Sequence, residues 1–283
     1  DYEYLINNSD NYIQKGIDSL KSLYNCDIYF NSASNSIFSN LNNVNHATFN
    51  KLHPAGNVGI QIHNLHPIKS KVDTRWYLSL QDLNRIGQFF KTGEYPVYRY
   101  VSVGGNAFEN PCIFKLLIGT PINQIIDNEL DNNTRLISGD LLSGVETSRD
   151  NSTGFYDEVL SIIKTDYKRD FLGWLKLGLR KYTLTNTFLS KITSNKYSDL
   201  TTKKNGSIRT IIPMGNWDRV MPMNIMTEYL VKNIIAKDID MMEKLGIYEC
   251  SPEDFSLCSF VCQSKVEVSY IIEEGLNLIE EEG

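Results

Sequence analysis

The chain has 283 residues, enough for two domains, and its 28 basic and 34 acidic residues give a net charge of −6. This balance argues against nucleic-acid binding, which needs a basic face. No apolar run approaches the roughly 20 residues of a spanning helix. No basic amphipathic helix is present, so any membrane association is expected to go through partner proteins. The five cysteines, an odd number, do not suggest a disulfide framework and favour a reducing compartment.

The first 30 residues predict a β-α-β unit. Its strands are Tyr2–Ile6 and Cys26–Phe30, and a helix between them carries apolar residues at helical spacing, namely Ile13, Ile17, Leu20 and Leu23. One such unit cannot cover its own sheet edges, which favours part of a doubly wound, Rossmann-like domain. No G-x-G-x-x-G run opens the helix, so this part of the chain does not indicate a dinucleotide site.

The run from His53 to Pro67 holds three of the four histidines and is punctuated by two glycines and two prolines, which impose a particular backbone path. A helix is favoured from Val58 onward and ends at Pro67, with a strand as the alternative. The candidate site here, for a ligand or for a turn, consists of His53, Gly56, Gly59 and His63. For His53 a turn-stabilising or interface role is favoured over catalysis.

A metal site in this run is not expected. His63 and His66 have the i, i+3 spacing that can bind a metal on a helix, but no Cys, Asp or Glu lies nearby to complete the ligand set.

The middle of the chain predicts strands, a short helix and glycine turns in the order of a β-grasp fold. A helix is expected from Ser79, with Asp82 at capping-box spacing, to Gly93. The short helix follows Pro121. The turn from Ser138 to Gly144 either holds an anion or is a tight turn, and the tight turn is favoured. The expected strands are Thr74–Leu80, Val97–Val103, Cys112–Ile118, Arg135–Gly139 and Val159–Ile163.

The last third predicts a hairpin followed by helices. Asn205-Gly206 is the strongest hairpin signal, with Ile208–Ile212 as its second strand. In the loop that follows, Trp217 and Arg219 have the composition of an exposed interface anchor, and the alternative is a Trp packed over the hairpin. The expected helices are Asn224–Ala236, Asp238–Leu245, one beginning at Ser251, and Ser269–Glu280.

Three segments carry a family resemblance: the run from His53 to Pro67, Arg209–Met223, and the tail from Glu253–Cys262 to Ile279–Gly283. Weaker matches lie between them, at Gly87–Glu94, Ile137–Gly144 and Lys168–Trp174. In this order and spacing the chain resembles the A subunit of the bacterial Na+-translocating NADH:quinone oxidoreductase. Family members begin with a biotinyl-lipoyl-like domain and the first part of a Rossmann-like domain, so the chain is expected to be a C-terminal fragment.

The resemblance implies a multidomain α+β architecture. A partial Rossmann-like α/β domain is expected at 1–68, a β-grasp, soluble-ligand-binding domain with extra hairpins at 69–215, and a helical C-terminal domain at 216–283.

The resemblance also implies a function. The chain is expected to be a peripheral subunit on the cytoplasmic face of the bacterial inner membrane, docked on the other subunits of a complex that passes electrons from NADH to ubiquinone and exports Na+. A quinone-binding role is associated with this subunit type. No catalytic residue, cofactor or metal is assigned to this chain, and the flavins are expected on other subunits. Alone, the chain is expected to be inactive.

Two alternatives come from other classes of protein. One is a free-standing β-grasp ligand-binding module. The other is an Rnf-type electron carrier, since the run at His53 is also similar to the C subunit of the Rnf complex and to the NADH-binding flavoprotein of complex I. Those proteins carry a glutamate just past the corresponding glycine, where this chain has Asn57 and Val58. Cys258 and Cys262 have the last spacing of a ferredoxin-type run, but Phe255 and Pro252 stand at the other two ligand positions, so no cluster is expected.

Overall fold

The computed structural model describes residues 12–33, 36–126, 133–166, 171–173, 175–179, 181–182, 188–192 and 202–282. It has a mixed α/β fold, and its contacts divide the chain into two compact units. The first unit consists of Asp1–Arg99, Met214–Cys258 and Glu267–Gly283, and the second of Tyr100–Pro213 and Ser259–Val266. The expected strand Tyr2–Ile6 lies outside the described residues, as does part of Lys168–Trp174. The three-domain division stays a prediction.

The α-helices are α1 (Ile13–Leu23), α2 (Val58–Leu65), α3 (Leu80–Thr92), α4 (Thr227–Ala236), α5 (Ile239–Lys244), α6 (Ser256–Val261) and α7 (Val268–Glu282). The strands are β1 (Tyr29–Ala33), β2 (Asn45–Phe49), β3 (Tyr98–Gly104), β4 (Cys112–Leu117), β5 (Thr134–Ser138), β6 (Val145–Thr147) and β7 (Val159–Lys164). Within the described ranges, no helix combines the length and low charge of a bilayer-spanning segment.

Helices α1 and α3 of the first unit pack closely because both carry a glycine at the crossing. A Cβ placed on Gly87 would lie 2.0 Å from the carbonyl oxygen of Tyr12, and one on Gly16 would lie 2.4 Å from that of Leu83. Ile13 and Ile17 are buried beside this crossing and stabilise it by roughly 1.5–3 kcal/mol each. The α3 prediction is confirmed at both ends: the Ser79 hydroxyl caps it and Gly93 ends it with a left-handed backbone.

Next to this helix pair, β1 and β2 form a two-stranded parallel sheet in which Tyr29 lies opposite Asn45 and Ala33 opposite Phe49. The sequence did not indicate β2, since its five residues lack a clear alternation of apolar and polar side chains.

The second unit contains a five-stranded mixed sheet with the order β4-β3-β7-β5-β6. Strands β3 and β7 are parallel, whereas β5 is antiparallel to both β7 and β6. A 3₁₀ turn at Ile122–Gln124 follows β4, as the sequence predicted. The core on one face of the sheet includes Val101, Val103, Ile122, Leu160 and Ile162.

Two expected β elements are absent from the described residues. Thr74–Leu80 is not a strand, because 73–79 has no regular secondary structure and Leu80 begins α3. The hairpin at Asn205-Gly206 does not form either. Asn205 adopts the left-handed backbone of a turn residue, but the backbone N–H of Arg209 donates to the carbonyl oxygen of Ser264 at 2.8 Å and not to a hairpin partner.

The C-terminal helices of the first unit share a core of buried side chains, which includes Leu230, Val231, Met242, Ile247, Phe255 and Ile272. Their observed bounds lie within a few residues of those expected. Asp238 caps α5 by accepting a hydrogen bond from the backbone N–H of Met241.

Candidate functional site

The run that begins at His53 folds as a turn followed by helix α2, so the helical prediction is confirmed and the strand alternative is wrong. The backbone N–H of Asn57 donates to the carbonyl oxygen of Pro54 at 2.8 Å and closes the turn. Asn57, with an extended backbone, then precedes the helix, which ends before Pro67 as the missing N–H of proline requires.

His63 connects α2 to two points of the segment 224–249 in the same unit. Its Nε2 accepts a hydrogen bond from the backbone N–H of Asn224 at 3.0 Å, and its Nδ1 contacts Oε2 of Glu249. In the neutral ring, the proton therefore sits on Nδ1 and is donated to Glu249. Both ring nitrogens are occupied, so His63 has no lone pair with which to act as a general base. The geometry is that of a structural connection.

Gly59 lies on the side of α2 that meets Asp254. A Cβ at this position would lie 1.9 Å from Oδ2 of Asp254, so only glycine allows this approach. Close to this contact, the side-chain amide of Asn57 donates to the carbonyl oxygen of Glu253 at 3.2 Å. The first turn of α2 is thereby packed against the beginning of the 3₁₀ segment Pro252–Phe255.

The carboxyl group of Asp254 is nearly inaccessible to water, with 1% of the residue exposed. Burial raises the pKa of Asp254 to about 6, and the charge of Glu253 raises it further, against smaller opposing effects of Asn57, Ser251 and Ile60. Burial also raises the pKa of the Cys250 thiol, beside the charges of Asp254 and Glu249. Cys250 is therefore not a reactive thiolate.

A second polar contact holds the turn against the parallel sheet. The side-chain amide of Gln61 donates to the carbonyl oxygens of Ala55 and Gly56 at 3.2 and 3.4 Å, and Asn31 of β1 donates to Oε1 of Gln61 at 2.8 Å. Gln61, Asn31, Glu249 and Asp254 were not singled out from the sequence, because nothing local indicates partners so distant along the chain.

The four expected site residues therefore separate into two pairs. His63 and Gly59 contact the segment 224–254, whereas His53 and Gly56 lie exposed on the turn. A Cβ on Gly56 would meet no atom within 4 Å.

The loop that contains Trp217 and Arg219 is anchored to α4. Oε1 of Glu228 accepts hydrogen bonds from the backbone N–H groups of Met214 and Gly215 at 3.1 and 3.0 Å. Trp217 is only 5% exposed, so the premise of an exposed tryptophan anchor is wrong, and burial within the chain holds in its place. Arg219 is exposed, and its contribution to docking stays a prediction.

The turn from Ser138 to Gly144 has the tight-turn form. Oδ1 of Asp140 accepts hydrogen bonds from the backbone N–H groups of Leu142 and Ser143 at 2.6 and 2.8 Å. Since a carboxylate of the chain itself already occupies these donors, they are not available to a bound anion.

Across the ranges that the structure describes, no group of three or more His, Cys, Asp or Glu side chains is arranged to hold a metal ion. Cys250, Cys258 and Cys262 are all buried and free.

Comparison with known proteins gives a consistent result along the chain. The family model described as "NqrA second alpha/beta domain" matches residues 1–95, and "NQRA C-terminal domain" matches residues 100–149. Among curated relatives, the A subunit of the Na(+)-translocating NADH-quinone reductase of Vibrio anguillarum is 34% identical over 284 residues, covering 99% of this chain and 64% of the relative.

The proteins of the same name from Rhodopirellula baltica and Marinomonas sp. are 37% and 35% identical, covering 85% and 95% of this chain and 53% and 60% of their own lengths. The chain thus spans between half and two thirds of these relatives. Because two family models and these relatives agree over most of its length, the chain belongs to the A-subunit family of Na+-translocating NADH-quinone reductases.

Proposed function

We propose that the chain acts as a peripheral subunit of a Na+-translocating NADH:ubiquinone reductase, on the cytoplasmic face of the bacterial inner membrane and close to the quinone-reduction step. The observation that carries this proposal is the similarity to relatives of that name over 99% of the chain. In this proposal the chain binds no flavin of its own, and ubiquinone is a substrate of the assembled complex.

The geometry around α2 supports a role in assembly over a role in chemistry. His63 has both ring nitrogens engaged, and Asp254 is shielded from solvent by Gly59 and its surroundings. Groups held in this way position one part of the chain against another but do not present a nucleophile or a base to a substrate. The chain then serves as a scaffold, and the redox groups belong to its partners.

The fold supports the same proposal at a finer level. The parallel pair β1–β2 after α1 is what part of a Rossmann-like domain would contain, and the mixed sheet with its short 3₁₀ turn suits a β-grasp module. We infer that residues 1–68, 69–215 and 216–283 derive from these two domains and a helical C-terminal domain.

The test is co-purification. A tagged form of the chain, expressed with the remaining subunits of the reductase in cells that lack their own copy of this one, is expected to bring down those subunits from solubilised membranes. Recovery of the chain only as a monomer from the soluble extract would favour the free-standing ligand-binding module. Visible absorption by the purified chain would favour the electron carrier.

A further inference from the structure

The segment between α2 and α3 exposes its largest apolar side chains to solvent. Trp76 is 93% exposed, and Val72, Tyr77 and Leu78 are 82%, 68% and 50% exposed. Four exposed apolar side chains within seven residues, one of them a tryptophan, form a local apolar surface that favours a binding role over a purely solvated loop.

The same segment is basic, although the chain as a whole is acidic. Lys69, Lys71 and Arg75 are exposed and alternate with the apolar residues, and Asp73 is the one acid between residues 69 and 78. Oδ2 of Asp73 accepts a hydrogen bond from the backbone N–H of Lys69 at 3.0 Å, which lowers the pKa of Asp73 and fixes its charge inside the turn. Three positive charges and one negative charge leave a local net charge of +2, against −6 for the chain.

We propose that residues 69–78, the basic aromatic loop, bind directly to the surface of an anionic lipid bilayer. Tryptophan and tyrosine favour the level of the lipid headgroups, where an apolar ring and a polar N–H or O–H are both satisfied. Lysine and arginine beside them attract anionic headgroups. The loop reaches the bilayer without a basic amphipathic helix, and this contact is a property of the chain alone, beyond its docking to other subunits.

A lipid surface explains the loop better than a protein partner does. A stable protein interface buries about 800 Å² on each side and is depleted of lysine at its centre. Here the apolar residues occupy a single short loop and are interleaved with lysine and arginine. A fluid bilayer accepts this arrangement, because the aromatic side chains insert while the charges stay in the headgroup layer.

The experiment is sedimentation of the purified chain with vesicles of phosphatidylcholine alone or of phosphatidylcholine mixed with phosphatidylglycerol. The chain is expected to sediment with the mixed vesicles and to be released as ionic strength rises. Replacing two charges, Lys71→Gln with Arg75→Gln, is expected to weaken binding roughly thirtyfold. Trp76→Ala with Tyr77→Ala is expected to weaken it at least about tenfold.

Matched controls separate the loop from general surface effects. Tyr156 is 77% exposed elsewhere on the chain, so Tyr156→Ala is expected to bind as the unchanged protein does. Lys232→Gln with Lys244→Gln removes two exposed charges outside the loop and is expected to weaken binding less than about threefold. Because all these side chains are exposed, each variant is expected to fold, and its thermal unfolding midpoint verifies this.

Brominated lipids report whether Trp76 enters the bilayer. They are expected to quench the tryptophan emission of the unchanged chain and not that of Trp76→Phe, which still binds. The proposal is overturned if the chain does not sediment with the mixed vesicles at low ionic strength, or if the loop variants bind as well as their controls.

Discussion

The imidazole of His63 and the carboxylate of Glu249 are hydrogen-bonded to each other, although 186 positions separate them in the sequence. This contact, with the hydrogen bond from the backbone N–H of Asn224 to the other ring nitrogen, joins α2 to the C-terminal part of the first unit.

Removal of this imidazole tests its structural role. His63→Ala is expected to lower the free energy of unfolding by about 1–3 kcal/mol, because Glu249 and the backbone N–H of Asn224 each lose a partner. His53→Ala, on the exposed turn, is the control and should change it by less than about 0.5 kcal/mol. Urea titration measures both values, and equal effects would contradict the assignment.

Two glycines of the same run should respond differently to alanine. Gly59→Ala is expected to destabilise the chain by about 1–3 kcal/mol, because the new methyl group meets the Asp254 carboxylate. Gly56→Ala meets open space and should be neutral or slightly stabilising, as it restricts the unfolded chain. Adding Asp254→Ala to Gly59→Ala is expected to recover part of the loss. Absence of any recovery would show that the two positions are not coupled.

Asp254 predicts a pH dependence of stability. Its pKa in the folded chain, about 6, lies above that of an unfolded aspartate, so ionisation opposes folding. Its contribution is fully present below about pH 4 and is lost as the pH rises through about 6. Asp254→Asn is therefore expected to be more stable than the unchanged chain at neutral pH, by on the order of 2–3 kcal/mol, but not at about pH 4. Denaturation across this range measures the difference, and parallel curves would contradict it.

Trp217 and Arg219 should separate stability from docking. Trp217→Ala is expected to cost about 3–5 kcal/mol of unfolding free energy, because it leaves a cavity in the unit's own core. Arg219→Ala is expected to leave stability within about 0.5 kcal/mol of the unchanged value and to reduce co-purification of the partner subunits. Normal assembly of the Arg219 variant would remove this residue from the interface.

The chain is expected to carry no iron–sulfur cluster and no zinc, because Phe255 and Pro252 occupy the ligand positions that would complete the set with Cys258 and Cys262. Iron, acid-labile sulfide and zinc are to be measured on protein purified without oxygen. A stoichiometric metal that disappears in the Cys258→Ser, Cys262→Ser double variant would contradict this and would indicate electron transfer through the chain.

The elements predicted most accurately are those whose signals are local. Helix α3 carries its own cap in Ser79, its own end in Gly93 and a complete apolar face, so no distant residue is needed to define it. Helix α2 is similar, since Pro67 ends it whatever packs against it. In both helices the backbone hydrogen bonds are formed within the segment itself.

The errors arise where a distant segment decides the structure. Thr74–Leu80 has a strand-like sequence but lacks a neighbouring strand, and Arg209 pairs with Ser264 in preference to the turn at Asn205. In the candidate site the positions of His63 and Gly59 were recognised, but Glu249 and Asp254 were not. Trp217 looked exposed because its neighbours are polar and proline-rich, whereas burial depends on helices that follow it in the sequence.

The composition of the first unit has a consequence during synthesis. When His63 leaves the ribosome, Glu249 has not yet been made, and translation at ~5–20 residues per second takes about 10–40 s to reach it. Throughout that interval the face of α2 that later meets Asp254 has no cover. A nascent chain halted before residue 249 should therefore be cut by protease within α2, and one extended beyond residue 283 by a linker that clears the exit tunnel should resist.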